Sequence, residues 1–142
     1  MAEGTSFDAG EEFAGLNFHS LRLERRFIKT MGTFYRQPDK SIREASENRA
    51  EAKAIYRMPG NEGIDREEIL RARREAAIRR MSGYSGTILA IQDTTGVNYN
   101  THVKTEGIGY ISDKTMGVNV HSCLAVTEEE LVLGVLDPYA FT

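Results

Sequence analysis

The spacing of apolar residues changes near Gly83, from a helical period before it to a strand period after it. Leu23, Phe27 and Met31 recur at the spacing that places side chains on one face of a helix. Residues 118–126 alternate apolar and polar positions, which is the pattern of a strand. The change of period predicts an α+β fold. We expect a mobile acidic tail over residues 1–15, a helical domain over 16–82 and a strand-rich domain over 83–142.

Three helices are expected before Gly83. The first covers residues 19–35. A second begins at Ser41, because Ser41 and Glu44 have the spacing of a capping box, and Tyr56 shares its apolar face with Ile42, Ala45 and Ala52. A third begins after Asp65, a good N-cap residue, and runs to about Met81.

Three strands are expected after Gly83, over residues 87–92, 118–126 and 131–136. The first is a short apolar run of the kind that forms a buried strand. The last two are close enough along the chain to form an antiparallel hairpin. Residues 94–117 are polar and predict a long loop, which in a compact domain tends to be functional or flexible.

The charges are distributed unevenly, although the net charge is only −3. Residues 22–81 carry 16 of the 18 Lys and Arg residues, whereas residues 82–142 are acidic. A basic segment joined to an acidic one indicates two units with different partners, and the basic one is a candidate for nucleic acid.

Other classes of protein are disfavoured by composition. No apolar stretch approaches the length of a membrane span, and the acidic N-terminus does not resemble a secretory signal. Cys123 is the one cysteine, so no internal disulfide can form, and this fits a reducing compartment. We expect no membrane partner.

A row of cations is the first candidate site. Arg22, Arg25, Arg26 and Lys29 line one face of the first helix, away from its apolar face. Arg suits phosphate because its planar guanidinium donates two hydrogen bonds at once. The alternative is an ordinary solvated helix face.

Lys53 and Arg57 flank Tyr56, for which core packing is the preferred interpretation over stacking on a base.

Asp93 is the second candidate, because it follows the first predicted strand directly. A carboxylate at a strand end can hold Mg²⁺ with coordination positions left open for water and phosphate. An Asx-turn that ends the strand explains Asp93-Thr94-Thr95 equally well.

The stretch "NFHSLRLERRFIKTMGTFYRQPDKSIREASENRAEAKAIYR" resembles the N-terminal DNA-binding domain of Tn-five-like (insertion-sequence-four family) transposases. The resemblance implies binding of double-stranded DNA at transposon ends. The candidate DNA-binding residues are Arg22, Arg25, Arg26, Lys29, Lys40, Ser41, Lys53 and Arg57.

The stretches "LAIQDTTGVNYNTH", "EGIGYISDKTMGVNVHSCLAV" and "LVLGVL" resemble the first strands of the catalytic domain of that family. The resemblance implies a ribonuclease-H-like domain with a DDE triad and Mg²⁺ or Mn²⁺, and Asp93 matches the first aspartate of that triad. The second aspartate and the glutamate of the family lie beyond residue 142. We therefore expect the first three, largely antiparallel, strands of an incomplete domain and a chain that is catalytically incomplete alone.

The hypothesis that follows is an N-terminal fragment of a cut-and-paste transposase, located at the nucleoid in bacterial cytoplasm. Its further partners would be a second copy of the chain, forming a homodimer, or the full-length transposase. One alternative is a truncated DNA-binding regulator that inhibits transposition. Another is a protein-interaction module whose cations meet an acidic partner instead of DNA.

Overall fold

A computed structural model describes residues 7–142. The chain divides into two compact units, one ending at Ala76 and the other spanning Ala77–Thr142. The division falls inside the last helix, whereas the sequence suggested a boundary between residues 82 and 83. Among the described residues, no helix is long and apolar enough to cross a membrane.

The first unit is helical. Ser20 and Asn48 each cap a helix by accepting a hydrogen bond from a backbone N–H in its first turn. The helices are α1 (Ala9–Glu12), α2 (Leu21–Arg36), α3 (Ile42–Ala45), α4 (Arg49–Arg57) and α5 (Arg66–Ser82), with a 3₁₀ turn at Met58–Gly60.

The sequence predicted a mobile tail up to residue 15, but the residues just before Leu16 are folded into the helical unit. Asp8 caps α1, and Phe13 is 4 % exposed. An aromatic side chain of this size gains a large hydrophobic free energy when it is buried, which ties the segment to the core. The prediction of a tail is therefore wrong for residues 7–15, while residues 1–6 lie outside the described residues.

The core of the helical unit forms around Phe27 of α2. Its ring makes edge-to-face contacts with Phe13 and Phe18, at centroid distances of 5.1 and 5.6 Å. Leu16, Met58 and Ala72 complete the buried cluster. The predicted apolar face of α2 is confirmed at Phe27, while Leu23 and Met31 pack partly buried against this cluster.

The second predicted helix is two helices. Ser41 and Glu44 form the expected capping box at α3, but α3 ends after one turn and α4 starts anew behind Asn48. The break resets the helical phase, so Ala52 and Ile55 face the core and Tyr56 is 62 % exposed. The prediction that Tyr56 packs in the core is wrong.

The second unit is an antiparallel sheet that follows the end of α5. The strands are β1 (Ile88–Asn98), β2 (Gly109–Ser112), β3 (Thr115–Thr127) and β4 (Val132–Phe141). β3 lies in the centre, with β1 on one side and β2 and β4 on the other. The antiparallel pairing of β3 with β4 confirms the predicted hairpin.

The sheet has four strands instead of three, and its strands are longer than expected. β2 lies inside the segment predicted to be a loop. β1 continues past Gln92 to Asn98, since β3 is long enough to pair with every one of its residues. Asp93 is consequently in the middle of a strand, opposite Ser122, and not at a strand end.

The expectation of a buried first strand is also wrong. All residues of β1 after Ile88 are exposed, and β1 lies at the edge of the sheet, where it pairs with β3. Helical cover in this unit comes from the last turns of α5 at β4: a Cβ built on Gly134 would lie 2.5 Å from the Cβ of Ala77. Only glycine permits this close approach.

Candidate nucleic-acid interface

Three arginines of α2 form an exposed row. Arg22, Arg25 and Arg26 are exposed on α2, whereas Phe27 and Thr30 of the same helix are buried. Ser20 fixes the start of the helix, since its hydroxyl accepts a hydrogen bond from the N–H of Leu23. None of the three arginines forms an ion pair with another described residue. Their guanidinium groups are therefore available to a ligand.

Lys29, the fourth member of the predicted row, has carboxylate partners. Its Nζ lies 3.4 Å from Glu51 and 3.7 Å from Glu47. The pKa of Glu51 is lowered, first by a hydrogen bond from the backbone N–H of Glu47 and further by Lys29. Lys29 therefore joins α2 to the start of α4, and it is less available to phosphate than the arginines.

A second row of cations lies on α4. Lys53 and Arg57 are exposed, one turn apart, with Tyr56 beside them. Arg49 lies one turn before Lys53 and extends the row, although the sequence-based set of candidates omitted it. The sequence does contain a signal for Arg49, because Arg49 lies four residues before Lys53, just as Lys53 lies four residues before Arg57. These three cations also lack an ion pair within the part of the chain that the structure describes.

The turn between α2 and α3 contains the other two candidates. Lys40 is exposed, and its backbone N–H donates to the carbonyl of Gln37. The hydroxyl of Ser41 is occupied by the capping box: it accepts from the N–H of Glu44 and donates to the Glu44 carboxylate at 2.7 Å. These hydrogen bonds lower the pKa of Glu44. Ser41 therefore acts first as a helix cap.

A network around Arg71 holds the segment that leads into α2. The Glu68 carboxylate accepts two hydrogen bonds from Arg71 and one, at 2.7 Å, from the N–H of Asn17. Arg71 also donates to the carbonyl of Gly15 and to Glu75. The bidentate contact with Arg71 is the main reason that the pKa of Glu68 falls to about 2. The network positions the start of the helix that carries the arginine row.

Asp93 is exposed on β1. Its Oδ2 accepts a weak hydrogen bond from the Thr95 hydroxyl at 3.4 Å. The neighbouring Thr94 hydroxyl instead contacts Nδ1 of His121 at 2.8 Å. No three His, Cys, Asp or Glu residues among residues 7–142 are grouped so that they could hold a metal ion. The described residues alone therefore do not fit a magnesium centre, and no metal chemistry is derived from them.

Comparison with known proteins bears on the helical unit. A search of curated proteins found no match to the chain. Residues 9–64 match a protein family described as "Transposase DNA-binding". The match extends from the first residue of α1 to just before Asp65, and it contains the arginine row of α2 and the cation row of α4. It supports the interpretation of this segment as the DNA-binding domain of a transposase N-terminal portion.

Proposed function

We propose that the helical unit binds double-stranded DNA through the arginine row of α2 and the cation row of α4. The observation that carries the proposal is the family match over residues 9–64, within which the exposed Arg22, Arg25 and Arg26 have no ion-pair partner among the residues that the structure describes. A soluble helix commonly pairs its cations with acids at neighbouring positions. Three arginines without such partners are ready to contact phosphate.

The physical basis is electrostatic. Each guanidinium can donate two parallel hydrogen bonds to one phosphate, and each phosphate that is neutralised releases condensed counterions from the DNA. Tyr56 adds an exposed aromatic ring beside Lys53 and Arg57. These features provide affinity for DNA backbone without requiring a particular sequence.

The assignment to a particular transposase family rests on sequence resemblance. We propose that the chain is the front portion of a Tn-five-like DDE transposase, that its DNA target is the transposon end, and that its sheet begins a ribonuclease-H-like domain. In this proposal Asp93 is the first catalytic carboxylate. The magnesium centre would need further carboxylates, because the described residues contain no group of three His, Cys, Asp or Glu residues that could hold a metal ion.

A second candidate is a DNA-binding regulator that occupies transposon ends and blocks the complete enzyme. The two candidates share the same interface, and both predict DNA binding.

The test is a salt titration of DNA affinity, measured by fluorescence anisotropy with a mixed-sequence duplex. We expect the combined Arg22→Ala, Arg25→Ala and Arg26→Ala variant to bind more weakly. The slope of log K against log salt should become shallower by about one unit for each phosphate that the variant no longer neutralises. Circular dichroism should show an unchanged helix content, because all three side chains are exposed.

The matched control removes the same charge elsewhere, by Arg66→Ala, Lys104→Ala and Lys114→Ala, all at exposed positions. We expect its salt slope to stay close to that of the unmodified chain. An equal loss of affinity in both variants would mean that net charge alone is responsible. An unchanged slope in the α2 variant would show that its arginines form a solvated face.

A further inference from the structure

Lys29 differs from the arginines of α2 because carboxylates neutralise its charge. It lies four residues after Arg25 and three after Arg26, a spacing that makes it their neighbour on the helix surface. Its side chain is 59 % exposed, and its Nζ lies 3.4 Å from Glu51 and 3.7 Å from Glu47. The two carboxylates therefore occupy a cation that would otherwise extend the arginine row by one turn.

Glu51 is built into the start of α4. Its side chain is only 13 % exposed, and its carboxylate accepts a hydrogen bond of 2.6 Å from the backbone N–H of Glu47. Its own backbone N–H donates to the side chain of Asn48, the N-cap of α4. These contacts fix the Glu51 carboxylate, so it is a permanent neighbour of Lys29.

The Glu47 carboxylate is held much less firmly. Its side chain is 70 % exposed, and its distance of 3.7 Å from Lys29 is too long for a hydrogen bond. Among residues 7–142, this carboxylate has no other ion-pair or hydrogen-bond partner. Exposed ion pairs of this kind contribute little to folding. The main effect of the Glu47 carboxylate is therefore on the charge of the surface around Lys29.

Glu47 also lies beside the cation row of α4. It precedes Arg49, the first cation of that row, by two residues, which the chain spans in at most about 7 Å. Charges this close are not screened, because the Debye length is about 10 Å at 0.1 M salt. A phosphate that approaches Lys29 or Arg49 consequently meets the negative charge of Glu47.

We propose that Glu47 is an electrostatic brake on DNA binding, which competes with phosphate for Lys29. The inference rests on the proposed function and adds a device that limits affinity at the same interface. An ammonium group has three N–H donors. Lys29 can therefore keep its contact with Glu51 and donate to a phosphate oxygen in the place of the Glu47 carboxylate. Glu51 positions Lys29, and Glu47 decides whether Lys29 meets DNA.

The experiment is a salt titration of the full chain with a mixed-sequence duplex, measured by fluorescence anisotropy. Glu47→Gln should tighten binding about three- to tenfold at 0.1 M salt, and the slope of log K against log salt should steepen by about one unit, because Lys29 then neutralises one more phosphate. In a Lys29→Met background the same substitution should leave the slope unchanged, since the cation is absent. Circular dichroism should show an unchanged helix content for Glu47→Gln, because the backbone N–H of residue 47 can still donate to Glu51.

Glu62→Gln is the matched control, since it removes the same charge from another exposed carboxylate of the helical unit and should leave the slope unchanged. A slope that Glu47→Gln leaves unchanged overturns the brake alone, provided that the triple alanine variant of α2 still loses affinity. A change of slope that is equal in Glu62→Gln, or that persists in the Lys29→Met background, also overturns it. If the triple variant binds like the unmodified chain, the role of α2 in the proposed function fails and the brake fails with it.

Discussion

At the scale of single residues, Arg71 is the side chain that organises the approach to α2. It contacts Glu68, Glu75 and the carbonyl of Gly15, so one guanidinium joins α5 to the segment that precedes the arginine row. Glu68 in turn holds the backbone of Asn17. Two side chains of α5 thus hold the segment that leads into α2, a helix to which they do not belong.

This pair makes the stability of the helical unit depend on pH. The pKa of Glu68 is about 2 in the folded chain, below its ordinary value of 4.5. Its contribution is therefore complete above pH 4.5 and disappears as the pH falls towards 2. We expect Glu68→Gln to lower the urea midpoint at pH 7 and to weaken the decline of stability between these pH values.

Glu67→Gln is the control for this prediction, since it removes the same charge from an exposed position on the same helix. We expect its urea midpoint at pH 7 to be nearly unchanged. Identical pH profiles for the two variants would show that the contact between Glu68 and Arg71 contributes nothing to folding beyond general charge.

The sequence predicts exposure of single residues better than it predicts their partners. Helical spacing correctly predicted a cationic face at Arg22 and Arg26, because period alone decides which side of a helix is apolar. It could not reveal that Lys29 meets Glu47 and Glu51, since those contacts arise only when α2 packs near α4. Tyr56 was wrongly predicted to pack in the core for a related reason: the break between α3 and α4 changed the helical phase.

At the scale of elements, α3 shows how a local signal specifies a helix start without specifying its length. The capping box of Ser41 and Glu44 is present as the sequence predicts. Asn48 is a second cap only seven residues later, and its side chain accepts from the N–H of Glu51. Two strong N-cap residues so close together favour two short helices over one long helix.

This assignment predicts the behaviour of Ser41, which is both a cap and a candidate DNA contact. Ser41→Ala should lower the free energy of unfolding by about 1 kcal/mol, the usual cost of removing an N-cap. Ser41→Asn should restore most of it, because Asn is also a good cap. Ser85→Ala, at an exposed position before β1, is the control and should be neutral.

DNA affinities of the same variants separate the two roles of Ser41. A capping residue leaves the affinity unchanged once the chain is folded. A loss of affinity in Ser41→Ala but not in Ser85→Ala, with unchanged stability, would assign Ser41 to the DNA interface instead.

The hairpin of β3 and β4 was predicted, but β2 was missed and β1 was predicted to end at Gln92. Residues 94–98 contain polar and small residues, and a turn after Asp93 was as reasonable as a strand. Pairing with β3 makes these residues part of a strand, because every residue from Ile88 to Asn98 has a partner in β3. Strand length is a property of the pair, so a single sequence segment predicts it poorly.

At the scale of the whole molecule, the division of charge in the sequence corresponds to two structural units, a helical one and a sheet. Their boundary was harder to predict, since α5 is continuous across it and carries no Pro or Gly before Ser82. The acidic unit contains Asp93, while the candidate DNA-binding residues all lie in the helical unit. Binding and any chemistry at Asp93 should therefore be separable.

The Asp93→Asn variant of the 142-residue chain tests whether DNA binding is separable from chemistry at Asp93. We expect DNA affinity within about twofold of the unmodified chain, and the same salt slope, because Asp93 is outside the cation rows. EDTA should also leave the affinity unchanged. We expect no cleavage of duplex DNA by either protein with Mg²⁺ or Mn²⁺, since two-metal cleavage needs several carboxylates and the described residues contain no group of three His, Cys, Asp or Glu residues that could hold a metal ion.

Asp113→Asn is the matched control for this substitution, because Asp113 is another exposed carboxylate of the sheet unit. Both variants should bind DNA alike, since neither carboxylate lies on α2 or α4. Metal-dependent nicking that Asp93→Asn abolishes and Asp113→Asn preserves would show that Asp93 already belongs to a working metal site. A selective loss of affinity in Asp93→Asn would instead place β1 in the DNA interface, and the helical unit would no longer account for binding alone.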